Sequence, residues 1–185
     1  MDENPLEEMV TGSYYAIRRA KHFLTRFDHG EEACLIHAAL ELRLALESLP
    51  LERLKGTGKF DDMKKEILDG RWNPSAFMEQ LLAEAPRAAE PYTLRVSLGR
   101  SQGSLDFPYV PPPKNAGEQA KTLSKLLHAP FILCTHSWAR SGERRGGSDP
   151  LNWTMDDWRT FLGEVLADAE GPAQSSLFSP PPGDS

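Results

Sequence analysis

Four side chains of this sequence have the types and spacing that acid–base chemistry requires. Glu41, Arg43 and Glu47 lie in one strongly apolar run, and His128 follows a later apolar run. If these groups meet between buried helices, their pKa values are perturbed and they can transfer protons. The same groups could instead form an ion-pair network that fixes the register of packed helices. The residues alone leave both interpretations open.

Cysteine and histidine positions offer a second chemistry, which is zinc binding. Cys34 and His37 share one helical turn, and further ligands of the right type follow at His128, Cys134 and His136. Zinc accepts these ligand types, but their spacing matches no standard zinc motif. We therefore predict no metal site and no cofactor.

A glycine-rich polar segment, residues 137–152, suggests contact with nucleic acid. Its basic residues are Arg140, Arg144 and Arg145. The predicted first helix carries further basic residues, which are Arg18, Arg19, Lys21 and Arg26. Such side chains can hold a phosphate backbone. Because the net charge of the chain is −6, any basic surface of this kind would be local.

Tryptophans in the second half of the chain suggest a protein interface. Trp138, Trp153 and Trp158 fall close together in the sequence. Tryptophan is enriched where partners contribute most binding energy, so the sequence predicts an interface around residues 138–162. A role in the protein's own core is the alternative.

The helix that must position Glu41, Arg43 and Glu47 is predicted over residues 31–49. One apolar face follows from Leu35, Ala38, Leu42, Leu46 and Leu49, and a second follows from Ala33, Ile36, Leu40 and Leu44. A helix with apolar residues on nearly all sides lies at the centre of a bundle. Pro50 ends the regular run, although a short continuation after a kink stays open.

Helical spacing of apolar residues predicts four further helices and a last one that begins at Thr154. The four run over residues 4–27, 59–69, 73–85 and 115–128. Gly30 has the position of a C-cap for the first of them, and Thr154 with Asp157 forms a capping start for the last.

The segment over residues 92–110 follows a different pattern. Residues 92–98 alternate with period two, and residues 105–110 suit a returning strand. We therefore predict a mainly α fold, a bundle of five or six helices with a small β-hairpin insertion. Residues 1–170 form one domain, and the Pro- and Ser-rich residues 171–185 form a disordered tail.

Bulk properties favour a cytoplasmic protein that does not enter a membrane. The chain has 185 residues and two cysteines, which do not make a disulfide framework. Its first ten residues are acidic and lack the apolar region of a signal peptide. No apolar run approaches the roughly 18 residues that span a bilayer.

Two segments resemble small bacterial HEPN-like proteins. The first is LIHAALELRLALESL, residues 35–49, which is similar to their second long helix; the other is SKLLHAP, residues 124–130. The resemblance implies a helical bundle. Catalytic members of this group carry an Arg-x(4–6)-His motif, and no histidine of this sequence has an arginine at the required distance before it. The resemblance therefore implies loss of the usual ribonuclease site.

These observations favour a non-catalytic interaction or regulatory subunit of a bacterial complex, which binds a larger protein or forms a homo-oligomer. The resemblance further suggests anti-phage defence or a toxin–antitoxin pair. One alternative is a ribonuclease or RNA-binding toxin with a non-standard polar site. Another is a nucleic-acid-binding module without chemistry.

Overall fold

Four helices and one antiparallel strand pair form the described part of the structure, a computed structural model. The described residues are 12–54, 79, 82–83, 89–97, 104–127, 150 and 153–176. The elements are α1 (Ser13–Asp28), α2 (Cys34–Leu54), β1 (Tyr92–Ser97), β2 (Ser104–Tyr109), α3 (Ala116–Leu127) and α4 (Met155–Ser176). The protein is thus mainly α, as predicted.

The number of helices stays a prediction, because two predicted helices fall largely outside the described residues. The helix predicted over 59–69 lies wholly outside them. Of the helix predicted over 73–85, the structure describes Glu79, Leu82 and Ala83, and all three are helical.

Helix α1 is fixed to its surroundings at both ends. The side chain of Glu52 accepts hydrogen bonds from the backbone N–H of Ser13 at 2.8 Å and from its hydroxyl at 2.5 Å. This places a carboxylate at the positive end of the helix dipole. At the other end, Gly30 has a φ of 95° and donates to the carbonyl of Phe27 at 2.8 Å. The predicted glycine C-cap is confirmed.

Helix α2 is the centre of the bundle, since α1, α3 and α4 all pack against it. Its fully buried leucines form the middle of the core: Leu42, Leu46, Leu49 and Leu51. The prediction of a central helix is therefore confirmed. Each residue from Ala45 to Leu51 is buried. Because this part of the helix is enclosed by the protein, apolar residues occur around its whole circumference.

The predicted N-terminal bound of α2 is wrong, and the continuation past Pro50 that the sequence leaves open is present. The helix begins at Cys34 rather than Glu31, and it continues through Pro50 to Leu54. A proline inside a helix costs about 3 kcal/mol because a hydrogen bond is lost. Leu51 and Arg53 are buried beyond it, and burial of a leucine side chain contributes about 1.5–3 kcal/mol. Tertiary packing therefore keeps the helix intact past the proline.

Strands β1 and β2 occupy the region where the sequence predicts a hairpin. They pair antiparallel, with Tyr92 opposite Tyr109 and Ser97 opposite Ser104. The residues between the strands, 98–103, lie outside the described part. β2 contacts α4, and the buried Tyr109 at its end joins the strand pair to the helices.

A buried arginine connects α2, β2 and α4. The Arg53 guanidinium is almost fully buried. It donates from Nη2 to the carbonyl of Pro172 at 2.9 Å, and its Cζ lies 4.6 Å from the centroid of the Tyr109 ring. The charge is thus placed at the C-terminal, negative end of α4, where a cation is stabilised.

Helix α4 begins as predicted and ends later than predicted. Thr154 and Asp157 form the reciprocal capping arrangement, with the Thr154 hydroxyl accepting from the Asp157 N–H at 3.1 Å. The prediction that residues 171–185 are disordered is wrong for residues 171–176, which continue α4. Ala173 is fully buried and Pro172 binds Arg53, so tertiary contacts outweigh the local effect of glycine and proline.

Within the described ranges, no helix is long and apolar enough to cross a membrane.

Two leucines of α2 provide a matched test of the core. Leu42 is fully buried, whereas Leu40 is 44% exposed. We expect Leu42→Ala to lower the free energy of unfolding by about 2–5 kcal/mol because it leaves a cavity. Leu40→Ala should cost under about 1 kcal/mol, since little apolar area is lost. Urea unfolding followed by circular dichroism measures both, and equal losses would contradict the described packing.

The buried arginine gives a second test. Arg53→Ala removes a charge-assisted hydrogen bond, so we expect a loss of about 2–3 kcal/mol and faster hydrogen exchange in the last turn of α4. Arg18 lies over the Tyr14 ring in a similar way, at 5.8 Å, but it is exposed. Arg18→Ala is therefore the control, and it should leave stability and exchange in α4 unchanged. If Arg18→Ala affected hydrogen exchange in α4 and Arg53→Ala did not, the role of Arg53 at the end of α4 would be contradicted.

Candidate functional site

Glu41, the first predicted site residue, is held by α1. Arg19 Nε and Nη2 donate to its two carboxylate oxygens, each at 2.8 Å. This bidentate geometry is the strong form of a guanidinium–carboxylate pair. The hydrogen bonds that Arg19 donates to Glu41 raise the pKa of Arg19 above its ordinary value, so the arginine stays charged. The pair joins α1 to α2 and leaves Glu41 with a structural partner.

Arg43 and Glu47 form a second, separate pair along α2. Arg43 Nε lies 2.8 Å from Glu47 Oε1, one helical turn away. Glu47 is buried, and a buried carboxylate needs a partner of this kind.

Among the described residues, the predicted acid–base groups do not form a single cluster. Glu41 and Arg43 are two positions apart, which puts them about 200° apart around a helix. Each has its own partner, Arg19 for the first and Glu47 for the second. His128 lies outside the described residues. The described candidates therefore make two ion pairs on different sides of α2 rather than one constellation.

Most basic residues predicted to extend a nucleic-acid surface on α1 are paired with carboxylates. Besides Arg19, Lys21 pairs with Glu170 at 2.9 Å and Arg26 pairs with Glu31. Arg140, Arg144 and Arg145 lie outside the described residues, and their assignment stays a prediction.

The three predicted interface tryptophans have different positions. Trp158 is 2% exposed and belongs to the core cluster, so its assignment to an interface is wrong. It falls on the inner face of α4 with Leu162 and Val165, at helical spacing. Trp153 is partly buried, with its ring centroid 4.7 Å from that of Trp158. Trp138 lies outside the described residues.

The residues considered for zinc are not gathered in the part of the chain that is described. That part contains no group of three or more side chains able to hold a metal ion. Cys34 is buried, and its sulfur lies 3.9 Å from a carboxylate oxygen of Glu31. His128, Cys134 and His136 lie outside the described residues.

The ion pair between Arg159 and Asp28 has no signal in the local sequence. Arg159 in α4 donates from Nε and Nη2 to the carboxylate of Asp28 in α1, with both distances 2.7 Å. These hydrogen bonds hold the pKa of Asp28 below its usual value. The residues are 131 positions apart, so no local spacing rule could have paired them.

The second apolar face of α2 is only partly covered. Leu40 is 44% exposed, and Ile36 and Leu44 are partly buried. The sequence predicts that this face is buried in the bundle, and the first half of the helix departs from that prediction. We call these three residues the α2 stripe.

No family model, curated protein or solved structure matches this chain. The resemblance to HEPN-like proteins therefore rests on the two sequence segments alone.

The Asp28–Arg159 pair predicts a specific pH dependence. Because the folded pKa of Asp28 is lowered, its contribution is present above the unfolded value, about 3.9. That contribution is lost as the pH falls through the folded pKa. Both side chains are substantially exposed, so we expect Asp28→Asn to cost about 0.2–1 kcal/mol at pH 7. The cost should vanish in strong acid.

Urea unfolding at pH values from 2 to 7 measures this difference between the wild type and Asp28→Asn. Glu164→Gln is the control, because this exposed carboxylate of α4 makes no ion pair with a described residue. It should show no such trend. A cost of Asp28→Asn that persists unchanged at pH 2 would disprove the assignment.

Proposed function

We propose that this chain is a non-catalytic interaction or regulatory subunit of a bacterial complex. It binds a protein partner or forms a homo-oligomer. The proposal further assigns it a HEPN-like bundle of five or six helices with a hairpin insertion, and a cytoplasmic location. The two segments similar to HEPN-like proteins support the assignment to anti-phage defence or a toxin–antitoxin pair.

One observation carries the proposal: the described candidates for acid–base chemistry are engaged in ion pairs. Glu41 is held at both oxygens by Arg19, and Arg43 holds the buried Glu47. A general acid or base must exchange a proton with substrate, and these groups are instead occupied in joining or stiffening helices. The absence of an Arg-x(4–6)-His motif from the sequence supports the same conclusion.

Affinity isolation tests the proposal. We expect a tagged full-length chain, isolated from its native host, to retain a stoichiometric protein partner or to elute as an oligomer in size-exclusion chromatography with light scattering. A monomer recovered without a stoichiometric partner would refute the proposal.

A nuclease assay tests the competing activity. The purified chain should cleave host RNA no faster than buffer, and Arg43→Ala should change nothing except stability. Arg18→Ala serves as the matched control for loss of one arginine. RNA cleavage that Arg43→Ala abolishes in a folded protein, while Arg18→Ala retains it, would show that the site is catalytic.

A further inference from the structure

The α2 stripe is an apolar surface on the central helix. At 100° per residue, Ile36, Leu40 and Leu44 fall within about 80° around the axis. Leu40 is the most exposed of the three. On the neighbouring α1, Tyr15 adds a ring that is 56% exposed. It lies one turn before Arg19 and therefore on the same side of α1.

Ion-paired arginines lie on both sides of the stripe, and each is more exposed than its carboxylate partner. The buried Glu47 lies about 20° from the direction of Leu40, nearly one turn beyond Leu44. Arg43 lies about 60° to one side of Leu40, and Glu41 with Arg19 lies about 100° to the other side. The side chain of Arg19 is 52% exposed against 15% for Glu41. Arg43 is 28% exposed against 10% for Glu47. The carboxylates lie beneath and the guanidinium groups face outward.

This surface is thus apolar along its middle and cationic along both edges. His37, which is exposed, lies on the Glu41 side. The exposed Glu32 precedes α2. It is roughly 16 Å from Arg43 at the rise of an α-helix, so it does not border the central part.

We infer that the α2 stripe binds an amphipathic helix of another protein, with an apolar side that meets Leu40 and acidic residues along its edges. This inference rests on the proposed function and names the surface and the partner's chemistry. A helix suits the stripe because its own apolar side recurs at positions i, i+3, i+4 and i+7. Acidic residues along the edges of the partner helix would face Arg19 and Arg43. This charge pattern selects against basic partners.

Site-specific photo-cross-linking in the native host tests the inference. The full chain carries p-benzoylphenylalanine in place of Leu40, or in place of Lys121 as the control. Lys121 is exposed on α3, away from the stripe. We expect at least tenfold more cross-linking at position 40. Mass spectrometry should map the cross-links to a segment of another protein with helically spaced apolar residues and a net negative charge.

A substitution series on the same surface gives a second measurement. Leu40→Asp should reduce the recovered partner at least tenfold, because it puts a charge in the centre of the contact. Leu40→Ala should reduce it less. Recovery with the wild type should decrease as salt is raised, since the edge charges are screened. Circular dichroism confirms that each variant is folded.

Several results would overturn the inference. They are cross-links from position 40 to a second copy of this chain, to its own residues 1–11, to nucleic acid or to a basic segment, or equal cross-linking at both positions. If a stoichiometric partner is recovered and Leu40→Asp leaves it bound, the inference fails and the proposed function stands. If the chain is recovered as a monomer without a stoichiometric partner, the proposed function itself fails.

Discussion

Burial of the second half of α2 is the constraint on which the rest of this structure depends. Three helices enclose it, so each polar group on it must find a partner within the protein. Glu47 pairs with Arg43, Glu52 accepts from the first residue of α1, and Arg53 donates from Nη2 to the carbonyl of Pro172. These bonds fix where α1 begins and where α4 ends. The geometry of the bundle therefore follows from the polar residues of its most buried helix as well as from its leucines.

The first half of α2 is less buried than the second half. There the helix has one side without full cover, and its charged residues pair at the edge of the bundle. Burial is asymmetric within each pair, so the carboxylates help to hold the helices together while the guanidinium groups face solvent. A pair that is neutral in total charge thus presents a positive surface. Formal net charge, which is −6 for the whole chain, gives no indication of this local sign.

Local signals in the sequence predicted local structure well. The capping residues Gly30 and Thr154 act over three or four positions, and both were identified from the sequence. Pro50 and Gly171 do not determine where α2 and α4 end, because their local cost is outweighed by contacts with distant residues, such as the bond from Arg53 to Pro172. Helical spacing puts Glu41 and Arg43 on different sides of α2. It could not supply Arg19 as the partner of Glu41, because that choice depends on how two helices pack.

The two ion pairs between α1 and α4 have a consequence for synthesis of the chain. Asp28 is translated 131 residues before Arg159, and Lys21 precedes Glu170 by 149. At a translation rate of about 5–20 residues per second, α4 is synthesised on the order of ten seconds after α1 and α2. During that interval the apolar faces that Leu162 and Val165 later cover are open to water. The nascent chain therefore has a period in which a chaperone or a partner reaches surfaces that the finished protein hides.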